Sequence, residues 1–256
     1  ASDGGPAASS SLRPIPAARY GAWSPVGEGG MGTVYRAHDA ELDRPVAVKV
    51  MRVDARRGAT AGTDVAERAL ARFLREARLT GRLEHPGIVP VHEVGRTAEG
   101  HPYYTMRLVK GARTLADAIA EAFSLPERLA LLEPFLKVCD TVAYAHANGV
   151  VHRDLKPLNV ALGAYGEVIV LDWGLAKAIG DPSDARAADL ESAAAPAPAD
   201  FQTGTGILGT VGYLAPEGFV GAADAATPTA DVFSLGVVLY EILTGERPWF
   251  APDLVR

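Results

Sequence analysis

The hydrophobic pattern of this chain changes period near Gly111, and that change limits its fold before any motif is considered. Upstream, at 20–53, short β-rich runs (GTVYRAHD, PVAVKVMRV) alternate with turn residues, which predicts a small antiparallel sheet. At 63–83 the apolar positions Val65, Ala69, Leu70, Phe73, Leu74, Ala77 and Leu79 recur at steps of three and four after a Thr-Asp cap, so one amphipathic helix follows. His85-Pro86-Gly87 breaks it, and IVPVHEVG and HPYYTMRLV read as two more strands. Downstream the periods are helical: TLADAIAEAF, then a longer helix at 126–148 stopped by Gly149. The run DVFSLGVVLYEILT at 231–244 is apolar nearly all round, and a helix of that kind must be buried. The chain is therefore predicted to be α+β and two-lobed. A small β-rich lobe with one helix spans 19–110, and a mostly helical lobe spans 111–256.

Composition narrows the function classes. Of 256 residues, 48% are hydrophobic and 22% charged, enough apolar content to build a real core. A net charge of −6 argues against a nucleic-acid binder. The single cysteine, Cys139, excludes a disulfide framework and a Cys-rich zinc site and fits a reducing compartment, so a cytoplasmic location is expected. No apolar run approaches the roughly 18 residues of a membrane span. Residues 1–18 (Ala, Ser, Gly and Pro without period) read as a disordered leader, and 179–206 as a long mobile insert. The chain starts with Ala1 and stops soon after an apolar segment, and so reads as a piece of a longer protein.

Only five of the 25 basic residues are lysines, at 49, 110, 137, 156 and 177, so a lysine here is mildly informative about a job that a guanidinium does badly. Gly27-Glu28-Gly29-Gly30-Met31-Gly32-Thr33-Val34 has the spacing G-x-G-x-x-G-x-V between two strands. Such a loop lets backbone amides approach a polyphosphate with no Cβ in the way, although a plain glycine turn reads almost as well. A strand follows rather than a helix, which excludes a dinucleotide-binding βαβ unit. Lys49, in Val46-Ala47-Val48-Lys49-Val50, has apolar neighbours that do not mark an ordinary solvent face, and Glu76 on the following helix is a carboxylate able to hold it. The most specific stretch is His152-Arg153-Asp154-Leu155-Lys156-Pro157-Leu158-Asn159, followed by Asp172-Trp173-Gly174 and later by Ala215-Pro216-Glu217 and Asp231.

These motifs, in this order over roughly 20–250, resemble the protein kinase family, and H-R-D-L-K-P-x-N resembles its Ser/Thr branch. The wording of the glycine loop and of H-P-G-I-V-P-V is similar to bacterial members. The resemblance implies a bilobal kinase-like fold, its helical lobe incomplete here after the central buried helix, and transfer of the ATP γ-phosphate, with Mg²⁺, to Ser or Thr hydroxyls of a protein. It implies that Asp154 orients the acceptor hydroxyl and that Lys156 neutralises the γ-phosphate. Asn159 and Asp172 would hold the metal, while Lys49, fixed by Glu76, grips the α- and β-phosphates. Gly27, Glu28, Gly29, Gly30, Met31 and Gly32 would cover the nucleotide. Val34 and Ala47 would lie above adenine and Ala161 below it, where kinases generally carry a larger residue. Met106 would be the gatekeeper, with Arg107 and Val109 in the hinge. Trp173, in place of the usual Phe, would pack between the helix of Glu76 and His152, and His152 would support the loop. Asp231 would receive backbone amides of the catalytic loop. Arg153 beside Asp154 implies switching by autophosphorylation at Thr203 or Thr205, through self-association, with Thr210 bonding Asp154 and Lys156. Ala161 and Trp173 keep a second reading open, a pseudokinase or nucleotide-binding scaffold.

Overall fold

The computed structural model describes Leu12 and residues 19–29, 32–52, 63–178, 212–219 and 227–249. The chain divides into two compact units, Ala1–Arg82 with Val89–Leu108, and Leu83–Ile88 with Val109–Arg256. The predicted leader apart from Leu12, the insert at 179–206, and Gly30, Met31, Thr203, Thr205 and Thr210 lie outside the described residues.

The first unit is an antiparallel sheet in the order β1 (Tyr20–Gly29), β2 (Gly32–Asp39), β3 (Arg44–Met51), β5 (Pro102–Arg107), β4 (Val91–Arg96), with helix α1 (Thr63–Arg82) between β3 and β4 in sequence. The β2–β3 turn is held by Asp39, whose Oδ1 accepts from the Glu41 amide at 3.1 Å, and its last residue, Asp43, is left-handed at φ 46°. Strand alternation then sorts the side chains. Val46 and Val48 join Tyr20, Ala37 and Tyr103 in one cluster. Met51 joins Phe73, Leu74 and Ala77 of α1 and Tyr104 of β5 in the other, against which Leu12 also packs. Lys49, in step with Ala47 and Met51, belongs to this helix-covered face.

The second unit begins with Leu83–Ile88, which the change of period alone assigned to the first lobe. Val170 donates to the Gly87 carbonyl at 2.8 Å, and Ile88 bridges Val170, so this segment is stitched to β9 (Val168–Val170). Helix α2 (Leu115–Glu121) starts on a capping box of Thr114 and Asp117. The single helix predicted over 126–148 is two, α3 (Leu125–Ala130) and α4 (Leu132–Ala147). Pro134 has no amide to give the carbonyl four residues earlier, so it is tolerated only in the first turn of a new helix. Gly149, at φ 73°, follows α4 as expected. Strand β6 (Arg113–Thr114) pairs with β8 (Val160–Leu162), β8 with β9, and β7 (Val150–Val151) with β10 (Lys177–Ala178). After the short helix α5 (Pro216–Phe219), helix α6 (Pro228–Thr244) buries Asp231, Ser234, Val237, Val238 and Ile242. Trp249 donates to the Gly212 carbonyl at 3.0 Å and Ser234 to that of Tyr213 at 2.8 Å, fastening 212–213 to this end of the unit. No described helix is long and apolar enough to cross a membrane.

Candidate active site

Residues of the expected site occur in both units. In the first, the hairpin β1–β2 brings Gly27 opposite Val34, Glu28 opposite Thr33 and Gly29 opposite Gly32. Gly32 is a packing requirement, since a Cβ there would meet the Val50 carbonyl oxygen at 2.2 Å; at Gly27 a Cβ would meet nothing within 4 Å among the described residues. Glu28 is exposed and its carboxylate pairs with Arg52 at 3.2 Å. Ala47 is buried on β3 opposite Met106, the half-buried expected gatekeeper, and Arg107 ends β5. Lys49 is only 7% exposed, a position a lysine holds only with a partner. Its Nζ donates to Glu76 Oε1 at 2.6 Å, so the predicted pair is formed. Tyr104, which the motifs did not single out, donates its hydroxyl to the same oxygen at 2.7 Å.

In the second unit Asp154, Lys156 and Asn159 form a hydrogen-bonded cluster. Lys156 Nζ donates to Asp154 Oδ2 at 2.7 Å, and Asn159 Nδ2 donates to Asp154 Oδ2 at 3.0 Å and to its carbonyl at 2.8 Å. One carboxylate oxygen thus receives an ammonium and an amide. Pro157–Asn159 form a single 3₁₀ turn, and the Leu171 amide donates to the Asn159 carbonyl at 2.7 Å, which sets Asp172 in the chain just beyond Asn159's partner. Asn159 spends its Nδ2 on Asp154, and the amide oxygen left over, with the carboxylate of exposed Asp172, is the hard donor type that Mg²⁺ prefers. Arg153 and Asp172 are both left-handed, at φ 70° and 60°. Non-glycine residues held in that region carry strain that the surroundings must offset, and such strain gathers at functional sites.

The surroundings here are specific. Asp231, fully buried at the start of α6, accepts from the His152 amide and the Arg153 amide, each at 2.8 Å. His146, from the last turn of α4, meets the same carboxylate at 2.7 Å; no motif pointed to it. The Asp154 amide donates to His152 Nδ1 at 3.2 Å, which leaves the ring proton on Nε2, 3.0 Å from the Leu171 carbonyl. With both nitrogens used by backbone, His152 supports the loop, as expected. Trp173 is buried against it, ring centroids 4.6 Å apart, with its Nε1 donating to the Val170 carbonyl at 3.2 Å. Arg153 Nε donates to the Leu175 carbonyl at 2.6 Å. Ala161 is buried in β8 between Thr114 and Ile169 in the registers on either side, and Val109 is half-buried at the start of the unit's second segment.

The sequence model of the protein kinase domain matches residues 20–254. The chain belongs to the protein kinase family. The kinase domain is also 38% identical over 251 residues to the serine/threonine-protein kinase PknD of Protochlamydia amoebophila, covering 92% of this chain and 24% of that protein. It is 39% identical over 244 residues to the PknD of Chlamydia pneumoniae, covering 90% of this chain and 24% of the relative. The chain thus spans about a quarter of the length of these curated relatives. Membership of the family implies the use of ATP. Two contributors to the kinase site had no local signal. Tyr104 becomes visible only once β5 is registered against β3, and His146 only once α4 and α6 are packed together.

Proposed function

We propose that this kinase domain transfers the γ-phosphoryl group of ATP to Ser or Thr hydroxyls of a protein substrate in the cytoplasm. The observation that carries the reading is the Asp154 carboxylate oxygen held jointly by Lys156 and Asn159. The acceptor oxygen attacks the γ-phosphorus, the bond to the β-phosphate oxygen breaks, ADP leaves, and the hydroxyl proton passes to Asp154. Phosphoryl transfer through a loose transition state asks the protein for position and charge rather than covalent help. Asp154 orients the hydroxyl, with its own direction fixed by its two donors. Lys156, beside it, offsets charge on the moving phosphoryl oxygens. Lys49 grips the α- and β-phosphates, held by Glu76. Mg²⁺, for which Asn159 and Asp172 supply oxygen ligands, would neutralise the triphosphate. The two PknD kinases support the Ser/Thr assignment.

Regulation belongs to the same proposal. Autophosphorylation at Thr203 or Thr205 would give the Arg153 guanidinium, which now bonds the Leu175 carbonyl, a dianion to grip. The test is labelled phosphate transfer from ATP to the chain itself and to a generic basic protein, with mass spectrometry of the product. Transfer lost in Asp154→Asn supports the reading; tight nucleotide binding with no transfer under any condition would replace it with the scaffold reading. An active sample unmodified at both threonines would remove the regulatory part alone.

A further inference from the structure

Glu76 is a buried carboxylate that is satisfied on one side only. Oε1 accepts from Lys49 and from Tyr104, at 2.6 and 2.7 Å, while Oε2 is buried without a hydrogen-bond partner among the described residues. A carboxylate taken out of water and left half-satisfied depends heavily on each donor it has. The two donors differ in kind. An ammonium on a four-carbon stem is close to a point charge and sets distance more than direction. The Tyr104 phenol is rigid: its ring is 3% exposed and lies 5.3 Å from that of Phe73, on the helix turn just before Glu76.

The sheet register explains how the three groups meet. Lys49 and Tyr104 are directly opposed across β3 and β5, and opposed residues of an antiparallel pair point to the same face. That face is the one covered by Phe73, Leu74 and Ala77 of α1. The Lys49 ammonium lies 5.9 Å from the Tyr104 ring centroid, within reach of a cation–π contact. Tyrosine thus touches both members of the pair, with its ring toward the cation and its hydroxyl on the anion. A phenylalanine would fill the same space without the hydroxyl, so that substitution removes the bond to Glu76 and keeps the ring.

We propose that Tyr104 is a positioning residue for the reaction: its hydroxyl aims the Glu76 carboxylate, and through it the Lys49 ammonium, at the phosphates of ATP. This rests on the reading of Lys49 as the phosphate-gripping lysine. The test is a double-mutant cycle in this chain, with kcat/KM for ATP measured in the transfer assay on wild type, Tyr104→Phe, Glu76→Ala and the double variant. Tyr104→Phe lowers kcat/KM about tenfold, the size expected for losing a hydrogen bond to a charged group, with the larger share in KM for ATP. In the Glu76→Ala background the same change has no further effect, because the hydroxyl has lost the group it acts on. A merely structural tyrosine would give the same fold loss in both backgrounds, and that result overturns the proposal, as does wild-type kcat/KM in Tyr104→Phe. Lys49→Met separates the two readings. If it cripples the enzyme while Tyr104→Phe behaves as wild type, this inference alone fails. If it leaves kcat/KM intact, the role of Lys49 fails and this inference with it.

Discussion

The two halves of the site are held in different ways. Lys49 and Glu76 are buried, and their geometry follows from a regular feature, the register of β3 against β5 with a helix laid over one face. Asp154, Lys156 and Asn159 sit on an irregular loop whose backbone is left-handed at Arg153 and, farther on, at Asp172. That loop is held from beneath by one buried carboxylate, Asp231, sent up from α6. A regular sheet suits groups that must stay in one relation to each other. An irregular loop can aim a carboxylate and an ammonium where no regular element would, but it needs an external anchor to offset the strain.

The largest expected effect is on chemistry. Asp154→Asn lowers the rate of labelled phosphate transfer roughly a thousandfold, the range of a lost general base, while nucleotide binding measured by calorimetry persists. If transfer survives, the loop is not the chemical half.

Next comes the anchor. Asp231→Ala leaves two backbone amides and His146 without their acceptor and costs about 3 kcal/mol in urea unfolding, with activity lost as well. The variant Gly32→Ala, on the regular side, costs about 2 kcal/mol because its methyl would run into the Val50 carbonyl. Gly27→Ala, where a Cβ meets nothing within 4 Å among the described residues, changes stability by no more than about 0.5 kcal/mol, so a change in its KM for ATP reports on nucleotide binding rather than on packing. Equal stability losses at the two glycines would break the distinction between packing and ligand glycines in this hairpin.

The smallest effect is a difference in pH dependence. In the first unit, burial pushes the Asp39 carboxyl up, but hydrogen bonds from Arg19 and the Glu41 amide outweigh it and hold the group below its ordinary value. Its contribution to stability is therefore present above about pH 4 and fades as pH falls. In the second unit, burial holds the Glu241 carboxyl above its ordinary value, against the opposing bond from Tyr213 and the charge of Arg247. That contribution is present at low pH and is lost as pH rises through the folded-state value. Urea midpoints from pH 3 to 8 should show Asp39→Asn falling behind wild type as pH rises, and Glu241→Gln gaining on it over the same range. Parallel profiles would show that the two carboxylates do not differ in this way.

Much of this was legible in the sequence because the deciding signals are local. Period-two and period-three-to-four patterns depend only on which face of a strand or helix meets the core, and they located the strands on either side of α1 as well as α6. The H-R-D-L-K-P-x-N run carries the Asp154 carboxylate, the Lys156 ammonium and the Asn159 amide within six residues, so the cluster around Asp154 was readable as a motif. The break at Leu131 was missed because apolar spacing continues across it, and only the missing amide of Pro134 stops the helix. The assignment of 83–88 to the second unit does not follow from period because it rests on contacts with distant residues, the Glu84 amide on Tyr144 and Gly87 and Ile88 on Val170.

The residues themselves determined which part is strand-rich and which helical, and their motifs carried the resemblance to the kinase family with its chemical groups, since period and motif are both features of short-range sequence. Tertiary structure alone decided which groups share an atom: that Tyr104 joins Lys49 on one oxygen of Glu76, and that His146, His152 and Arg153 converge on Asp231. Those meetings are set by strand register and helix packing between segments tens of residues apart, and a difference of one residue in register would have turned Tyr104 to the other face of the sheet.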